Sequence, residues 1–306
     1  MPLKKIVFLG VDNAGKSTIL NVLSEKYSLI SNQKPTVKVE RRKMENLFGY
    51  DIINWDFPGQ KQLREEYLKD IGRTLINTDL IMYIIDVQDY RRIMDSIKFF
   101  KLVINNLKKN DILNLPIFVL CHKLDPDVMN DETFLANIEI IKNEINAIVE
   151  SSDINFFITT IYDRWSIFFA FSKVFKYLLP EAKGQKIRGI LEEFAEKNGF
   201  KSILLMNEKN LVINEYSVDS FTSEIINSLA LTLTTVYDIA VQKELGNHVK
   251  IDLLSGAAIL IPIELPDNSS FFLLGYSDVL DPDLNIIGLE KTIKELNNIR
   301  NLSEID

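Results

Sequence analysis

The sequence is poor in the features of secreted and nucleic-acid-binding proteins. Only one of its 306 residues is cysteine, which excludes a disulfide framework and fits a reducing compartment. Its net charge of −8 has the wrong sign for binding a phosphate backbone, so we expect no nucleic-acid partner. The lone cysteine, Cys121, lies in an apolar run and is expected to be a buried strand residue.

Membrane-targeting features are also scarce. No apolar run approaches about 20 residues, the length needed to cross a bilayer. The second residue is Pro2 rather than the glycine of a myristoylation signal, and the ending Ser303–Asp306 contains no cysteine for prenylation. We therefore expect a cytoplasmic protein that is peripheral at a membrane only through a partner.

The chain has enough residues for two domains, and 46% of them are hydrophobic. In the first part, short apolar strands alternate with helical patterns, which predicts an α/β domain with a doubly wound, mostly parallel sheet. The polar segment 181–185 is interpreted as the junction, which gives domains 1–182 and 183–306. The second domain follows the order α-β-β-α-β-β-β-α, which predicts an α+β domain with one antiparallel sheet.

A phosphate-binding loop follows the first strand. Residues Gly10–Ser17 match the pattern GxxxxGK[ST] between an apolar strand and a helical segment. Lys16 is expected to reach the β- and γ-phosphates, and the Ser17 hydroxyl to bind Mg²⁺. The pattern alone does not distinguish guanine from adenine nucleotides. The predicted nucleotide contacts here are Asp12, Asn13, Ala14, Gly15, Lys16, Ser17 and Thr18.

Two further segments are typical of nucleotide switches. Asp56 and Gly59 form a DxxG motif at a strand end, where the carboxylate would hold Mg²⁺ through water and the Gly59 N–H would donate to the γ-phosphate. Gln60 stands where it can orient the attacking water, so Gln60 and Lys16 are the predicted catalytic residues. Thr36, between the two motifs, is predicted to contact both Mg²⁺ and the γ-phosphate.

A base-reading motif, HKLD, begins at His122 after a later apolar strand. Asp125 can accept hydrogen bonds from guanine N1–H and its 2-amino group, whereas adenine would leave the carboxylate unpaired. The stem of Lys123 is expected to lie over the base. Thr160 and Ile161 end the last strand of the domain and are predicted to place a backbone N–H near guanine O6.

Together these motifs resemble the Rag/Gtr family of small GTPases. The resemblance rests on HKxD in place of the usual NKxD, on the run Trp55–Gln60 and on the run Thr159–Lys173, which looks most like the C/D-type Rag. The phosphate loop also looks like that of Arf proteins. The resemblance implies a GTP/GDP switch with Mg²⁺ that hydrolyses GTP slowly, and a roadblock- or longin-like domain over residues 183–306.

The resemblance also implies partners. It implies a homodimer, or a heterodimer with another Rag-like GTPase, formed through the C-terminal domain, together with a roadblock-type scaffold and a GTPase-activating protein. One alternative stays open, a nucleotide-loaded scaffold with negligible hydrolysis that serves mainly as a dimer partner. A second alternative, a nucleotide kinase, is disfavoured by Asp56–Gln60 and by the HKLD motif.

Some residues depart from the usual pattern of small GTPases. Asp12 replaces a glycine of Ras-type loops, and Pro58 removes a backbone donor from the second switch. We find no clear internal arginine finger, and we expect each candidate to be a surface charge. The candidates are Arg41, Arg42, Arg64 and Arg73.

Overall fold

The chain folds as two compact units, Met1–Ala170 and Phe171–Asp306. This division lies upstream of the domain boundary predicted between residues 182 and 183, which stays a prediction. The computed structural model describes residues 2–24, 36, 38–69, 71–110, 112, 115–149, 154–244, 248–279 and 286–301.

The first unit contains a mostly parallel sheet. Its described strands are β1 (Leu3–Leu9), β2 (Glu40–Leu47), β3 (Tyr50–Asp56), β4 (Leu80–Asp86), β5 (Ile117–His122) and β6 (Ile154–Thr159). They lie in the order β2-β3-β1-β4-β5-β6, and each neighbouring pair is parallel except β2–β3. The predicted α/β architecture is confirmed.

Helices connect the strands of this sheet. They are α1 (Lys16–Leu23), α2 (Lys61–Leu68), α3 (Ile71–Thr74), α4 (Tyr90–Lys109), α5 (Glu132–Ile148) and α6 (Arg164–Leu178), the last of which contains the division between the units. Because β1, β3, β4, β5 and β6 run parallel, the loops that follow them meet at one edge of the sheet. The site lies at this edge.

Strand β2 and helices α2 and α3 are not predicted by the sequence pattern. Strand β2 has the sequence ERRKMENL and lies at the sheet edge, where it pairs only with β3. Helix α2 has the sequence KQLREEYL, in which Arg64 is the buried residue. Neither segment carries the apolar periodicity from which strands and helices are recognised, because neither contributes many apolar side chains to a core.

The second unit is an antiparallel sheet with helices. Its described elements are α7 (Glu181–Asn198), β7 (Ser202–Asn207), β8 (Val212–Ser217), α8 (Ser220–Gln242), β9 (Val249–Leu253), β10 (Gly256–Glu264), β11 (Ser270–Ser277) and α9 (Leu289–Arg300). The strand order is β8-β7-β11-β10-β9, with antiparallel neighbours throughout. The predicted order α-β-β-α-β-β-β-α and the α+β class are confirmed for the described elements.

The polar segment 181–185 is not a linker, which corrects the interpretation from its composition. It forms the first turns of α7, after Pro180 in the capping position. Proline ahead of the first turn and Glu181 within it both favour a helix N-terminus. Lys183 is buried, and its Nζ donates to the carbonyl of Arg300 at 3.0 Å. The segment therefore belongs to the packed second unit.

Helix α8 packs one face on the sheet of the second unit. Ile226, Ala230 and Leu233 are fully buried there, as expected for an amphipathic helix. By length and composition alone, α8 could also cross a membrane, which corrects the expectation that no segment reaches that length. Most of its surface is not buried in this fold, however, and its exposed face is considered below.

Candidate functional site

The phosphate-binding loop leaves β1 through several left-handed backbone conformations. Gly10, Asn13 and Gly15 have φ values of 147°, 57° and 98°, and turns of this kind can point successive N–H groups at an anion. A side chain at Gly10 would collide with the Ile84 carbonyl, and one at Gly15 with the His122 ring. Close packing as well as backbone conformation therefore requires the motif's glycines.

Lys16 is the first residue of α1 and is only 6% exposed. Its Nζ donates to the carbonyls of Gly10 and Val11 at 3.1 and 2.9 Å. Burial lowers the pKa of Lys16 to about 8, an effect that the charges of Asp56 and Asp12 partly offset. A buried ammonium whose close partners are neutral carbonyls favours an anionic ligand, which fits the predicted role in phosphate binding.

The three residues predicted to bind Mg²⁺ lie together beside the loop. Ser17 Oγ is 2.9 Å from Thr36 Oγ1 and also hydrogen-bonds Asp56 Oδ2. Asp56 is fully buried, and its Oδ1 has no hydrogen-bond partner among the described residues. Burial raises the pKa of Asp56, against the Ser17 hydrogen bond and the Lys16 charge. These oxygen donors fit Mg²⁺, which would supply the partner that Oδ1 lacks.

Gly59 brings the second switch against the phosphate-binding loop. A side chain at Gly59 would collide with the backbone of Val11 and Asp12, so this approach requires glycine. Gln60 follows directly as the capping residue of α2, and its side chain is half-buried. The glutamine predicted to orient water is therefore next in sequence to the residue that contacts the loop.

Asp125 is held by two side chains at the same sheet edge. Thr160 Oγ1 donates to Asp125 Oδ1 at 2.5 Å, and Gln88 Nε2 donates to Oδ2 at 3.0 Å. Gln88 Nε2 also donates to the Lys123 carbonyl at 2.8 Å. Because each carboxylate oxygen can accept more than one hydrogen bond, Asp125 keeps acceptor capacity for a base. Gln88 is not predicted by any motif, although it follows the end of β4 closely.

Lys123 joins the base-reading motif to the phosphate-binding loop. Its Nζ donates to the Asn13 carbonyl at 2.7 Å and to Asp86 Oδ2 at 2.6 Å. Its backbone has a φ of 69°, and its N–H donates to the Thr159 carbonyl at 2.9 Å. The ammonium thus braces the loop from outside, a contact that the prediction for the Lys123 stem does not include.

His122 is a packing residue of the site. It is 1% exposed, and its Nδ1 lies 3.0 Å from Thr159 Oγ1. Burial lowers the pKa of His122 to about 3, and the charge of Lys123 lowers it further, while a hydrogen bond with Thr159 acts in the opposite direction. The imidazole is therefore neutral at physiological pH, and it fills the space next to Gly15.

The remaining predicted contacts lie around the same edge. Ala14 is buried in the phosphate-binding loop, and Thr18 lies in the first turn of α1. The N–H of Thr160 donates to Ser166 Oγ at 3.1 Å. Because that N–H is engaged, we expect the N–H of Ile161 to be the one that reaches guanine O6.

Arg64 is buried, which corrects the expectation that it is a surface charge. It is 4% exposed, and its Nη2 lies 2.7 Å from Asp95 Oδ2. Arg41 is exposed and Arg42 is half-buried, while the side chain of Arg73 lies outside the described residues. The sequence of α2 carries no apolar pattern that would have indicated a buried guanidinium.

We predict that His122→Asn makes the free energy of unfolding less sensitive to acid. A histidine in an unfolded chain has a pKa of about 6.5, whereas native His122 has a pKa of about 3, so the unfolded chain takes up a proton that the native chain excludes. Stability therefore falls as the pH drops from about 6.5 towards about 3, by about 1.4 kcal/mol per pH unit relative to the variant. Denaturant unfolding between about pH 7.5 and 5 measures this; parallel pH profiles would contradict a buried neutral histidine.

Comparison with known proteins identifies relatives of this chain. The family described as "Gtr1/RagA G protein conserved region" matches residues 5–236. ADP-ribosylation factor-like protein 3 of Chlamydomonas reinhardtii is 32% identical over 121 residues, which cover 40% of this chain and 63% of the relative. ADP-ribosylation factor-like protein 5 of Caenorhabditis elegans is 35% identical over 130 residues, which cover 41% and 66%.

The chain thus spans less than two thirds of the length of each of these curated relatives. Among solved structures, the Arl6 BBS3 small GTPase of Trypanosoma brucei with bound GppNp is similar at 18% identity and a TM-score of 0.44, over 56% of this chain and 95% of that one.

The family match extends over most of the chain and includes every motif described above. It confirms the Rag/Gtr resemblance, and the Arf-like relatives agree with the Arf-like features of the phosphate-binding loop. The closer likeness to the C/D-type Rag stays a prediction. The chain belongs to the Gtr1/RagA family of G proteins.

Proposed function

We propose that this protein is a guanine-nucleotide switch that binds GTP or GDP with Mg²⁺ and hydrolyses GTP slowly. The observation that carries the proposal is the meeting of Lys16, Asp56 and Asp125 in loops at one edge of the sheet. Lys16 is a buried cation for phosphate, Asp56 a buried carboxylate with a spare oxygen for a metal, and Asp125 an acceptor for a base.

The proposed mechanism assigns a separate task to each residue. Lys16 offsets charge on the transferring phosphate, while the Gly59 N–H donates to the same group. Ser17, Thr36 and Asp56 would hold Mg²⁺, which neutralises phosphate charge when it is bound. Gln60 orients a water molecule for in-line attack on the γ-phosphorus, so the bond to the β-phosphate oxygen breaks and GDP leaves.

We propose that hydrolysis is slow without a partner. Arg64, the buried arginine of the second switch, is paired with Asp95, and Pro58 lacks a backbone donor. Small GTPases without an arginine at the transferring phosphate hydrolyse on the order of 10⁻³ s⁻¹ or below. An activating protein that supplies such an arginine is the partner expected from this deficit.

We predict that Asp125→Asn lowers the affinity for GDP by about 100-fold or more, because the amide replaces an acceptor by a donor opposite the 2-amino group. Xanthosine diphosphate, which carries an oxygen there, should gain affinity. Asp127→Asn makes the same charge change at an exposed position and should bind GDP as the wild type does. Equilibrium competition between GDP, ADP and xanthosine diphosphate measures this; equal binding of GDP and ADP by the wild type would contradict the proposed function.

We predict that Gln60→Leu slows single-turnover phosphate release from bound GTP by about tenfold or more, because the variant cannot orient water. Gln62→Leu, at an exposed position in α2, is the matched control and should keep the wild-type rate. Equal rates for the wild type and Gln60→Leu would instead favour the alternative function of a nucleotide-loaded scaffold.

We further propose that the second unit is a roadblock-type dimerisation domain. Its strand order and its exposed apolar residues support this. Helix α8 exposes Phe221, Val236, Ile239 and Val241, with 66%, 41%, 49% and 46% of each residue accessible. Strand β9 forms an edge of the sheet, and unpaired edges can add a strand from another chain. A Rag-like partner, or a second copy, would cover these surfaces.

We predict that a Val236→Lys, Ile239→Lys double variant sediments as a monomer of 35.2 kDa, because two charges would be buried in the dimer interface. Val279→Lys, an exposed apolar position outside α8, should keep the dimer mass. An unchanged mass in the double variant would contradict the role of α8. A monomeric wild type would leave only pairing with a different Rag-like chain.

Two assignments rest on the family resemblance alone. A roadblock-type scaffold is proposed as a partner that docks the dimer. A cytoplasmic location, with membrane contact only through such a partner, is proposed with it. Co-fractionation of the protein with membranes in the absence of any partner would contradict this location.

A further inference from the structure

An ion pair reaches the phosphate-binding loop from α4. Arg92 lies in the first turn of α4, and its Nη1 donates to the Asp12 carbonyl at 2.8 Å. The same nitrogen lies 2.9 Å from Asp12 Oδ2, and Arg92 Nε lies 3.4 Å from Asp89 Oδ2. One guanidinium therefore holds both the backbone and the carboxylate of a single loop residue.

Asp12 lies where a carboxylate is unfavourable for phosphate binding. Its backbone contacts Gly59, the residue assigned to the γ-phosphate. Its charge acts on the ammonium of Lys16, whose pKa it raises. A negative charge that acts on Lys16 also repels phosphates bound there. The repulsion is greater for a triphosphate, which carries more charge near Gly59 than a diphosphate.

We propose that Arg92 is a positioning residue for the terminal phosphate of the nucleotide, which acts by pairing with Asp12. The guanidinium holds the carboxylate towards α4 and offsets its charge, so that the loop can accept a triphosphate. Arg92 itself is not assigned a contact with the ligand. The proposal rests on the proposed guanine-nucleotide function and specifies how this chain's loop accommodates an acidic residue.

The exposure of the pair favours this role over one in folding. The side chains of Arg92 and Asp12 are 35% and 47% exposed, and ion pairs so exposed contribute little to stability. The effect of losing Arg92 should therefore appear in ligand discrimination. The neighbouring acids Asp86 and Asp89 also act on Arg92, so its loss leaves several carboxylates without an offsetting charge.

The test is equilibrium binding of GDP and of GppNp to the full chain with Mg²⁺. Arg92→Ala should weaken GppNp binding by about five- to tenfold and GDP binding by about twofold or less. In an Asp12→Asn background the same substitution should change GppNp affinity by less than about twofold, because no carboxylate remains to be offset. Arg91→Ala, which removes the same charge from an exposed neighbour on α4, should bind both nucleotides as the wild type does.

Salt dependence supplies a second readout. The GppNp deficit of Arg92→Ala should shrink as ionic strength rises, since salt screens repulsion between partly exposed charges. Equal losses for GDP and GppNp, no recovery in the Asp12→Asn background, or the same loss in Arg91→Ala would each overturn the proposal. Failure of the proposed function itself differs from these outcomes, because the wild type would then bind neither nucleotide. If Arg92→Ala does not fold, Arg92→Lys replaces it, and GppNp affinity at or below that of Arg92→Ala in the same Asp12→Asn comparison would contradict the charge argument.

Discussion

A positive charge buried in a tight backbone loop is the constraint on which the rest of the site depends. Lys16 is 6% exposed, and its ammonium donates to the carbonyls of Gly10 and Val11. The loop closes around it because Gly10 and Gly15 adopt left-handed φ values that other residues resist. Burial without an anionic partner in contact lowers the pKa of Lys16 to about 8. A phosphate would relieve that desolvation, so ligand binding and loop packing stabilise each other.

The segment after β4 connects the parts of the site. Asp86 pairs with Lys123, Gln88 donates to Asp125, and Arg92 holds Asp12. Phosphate binding, base recognition and the brace between them therefore share one short stretch of chain at the end of a strand that is buried along its whole length. Displacement of this stretch would disturb both ends of a bound nucleotide, which is why the proposed role of Arg92 is read from discrimination between ligands.

Most of the fold and the principal site residues could be predicted from local patterns. Strand β4 is buried along its whole length and is written as one apolar run, and the phosphate-binding loop has a fixed spacing of glycines and lysine. The supporting contacts could not be predicted, because Gln88 and Arg92 act through residues distant in sequence and belong to no spacing rule. Strand β2 escaped prediction for a related reason, since a charged edge strand carries no burial pattern.

The central claim is that the loop around Lys16 and the carboxylate of Asp125 hold one guanine nucleotide. Mass measurement of the purified native chain, followed by identification of the ligand released on denaturation, tests this most directly. The account predicts one GDP or GTP for each 35.2 kDa chain, with Mg²⁺ retained in the native complex. An adenine nucleotide, or no nucleotide after incubation with excess GDP and Mg²⁺, would contradict it.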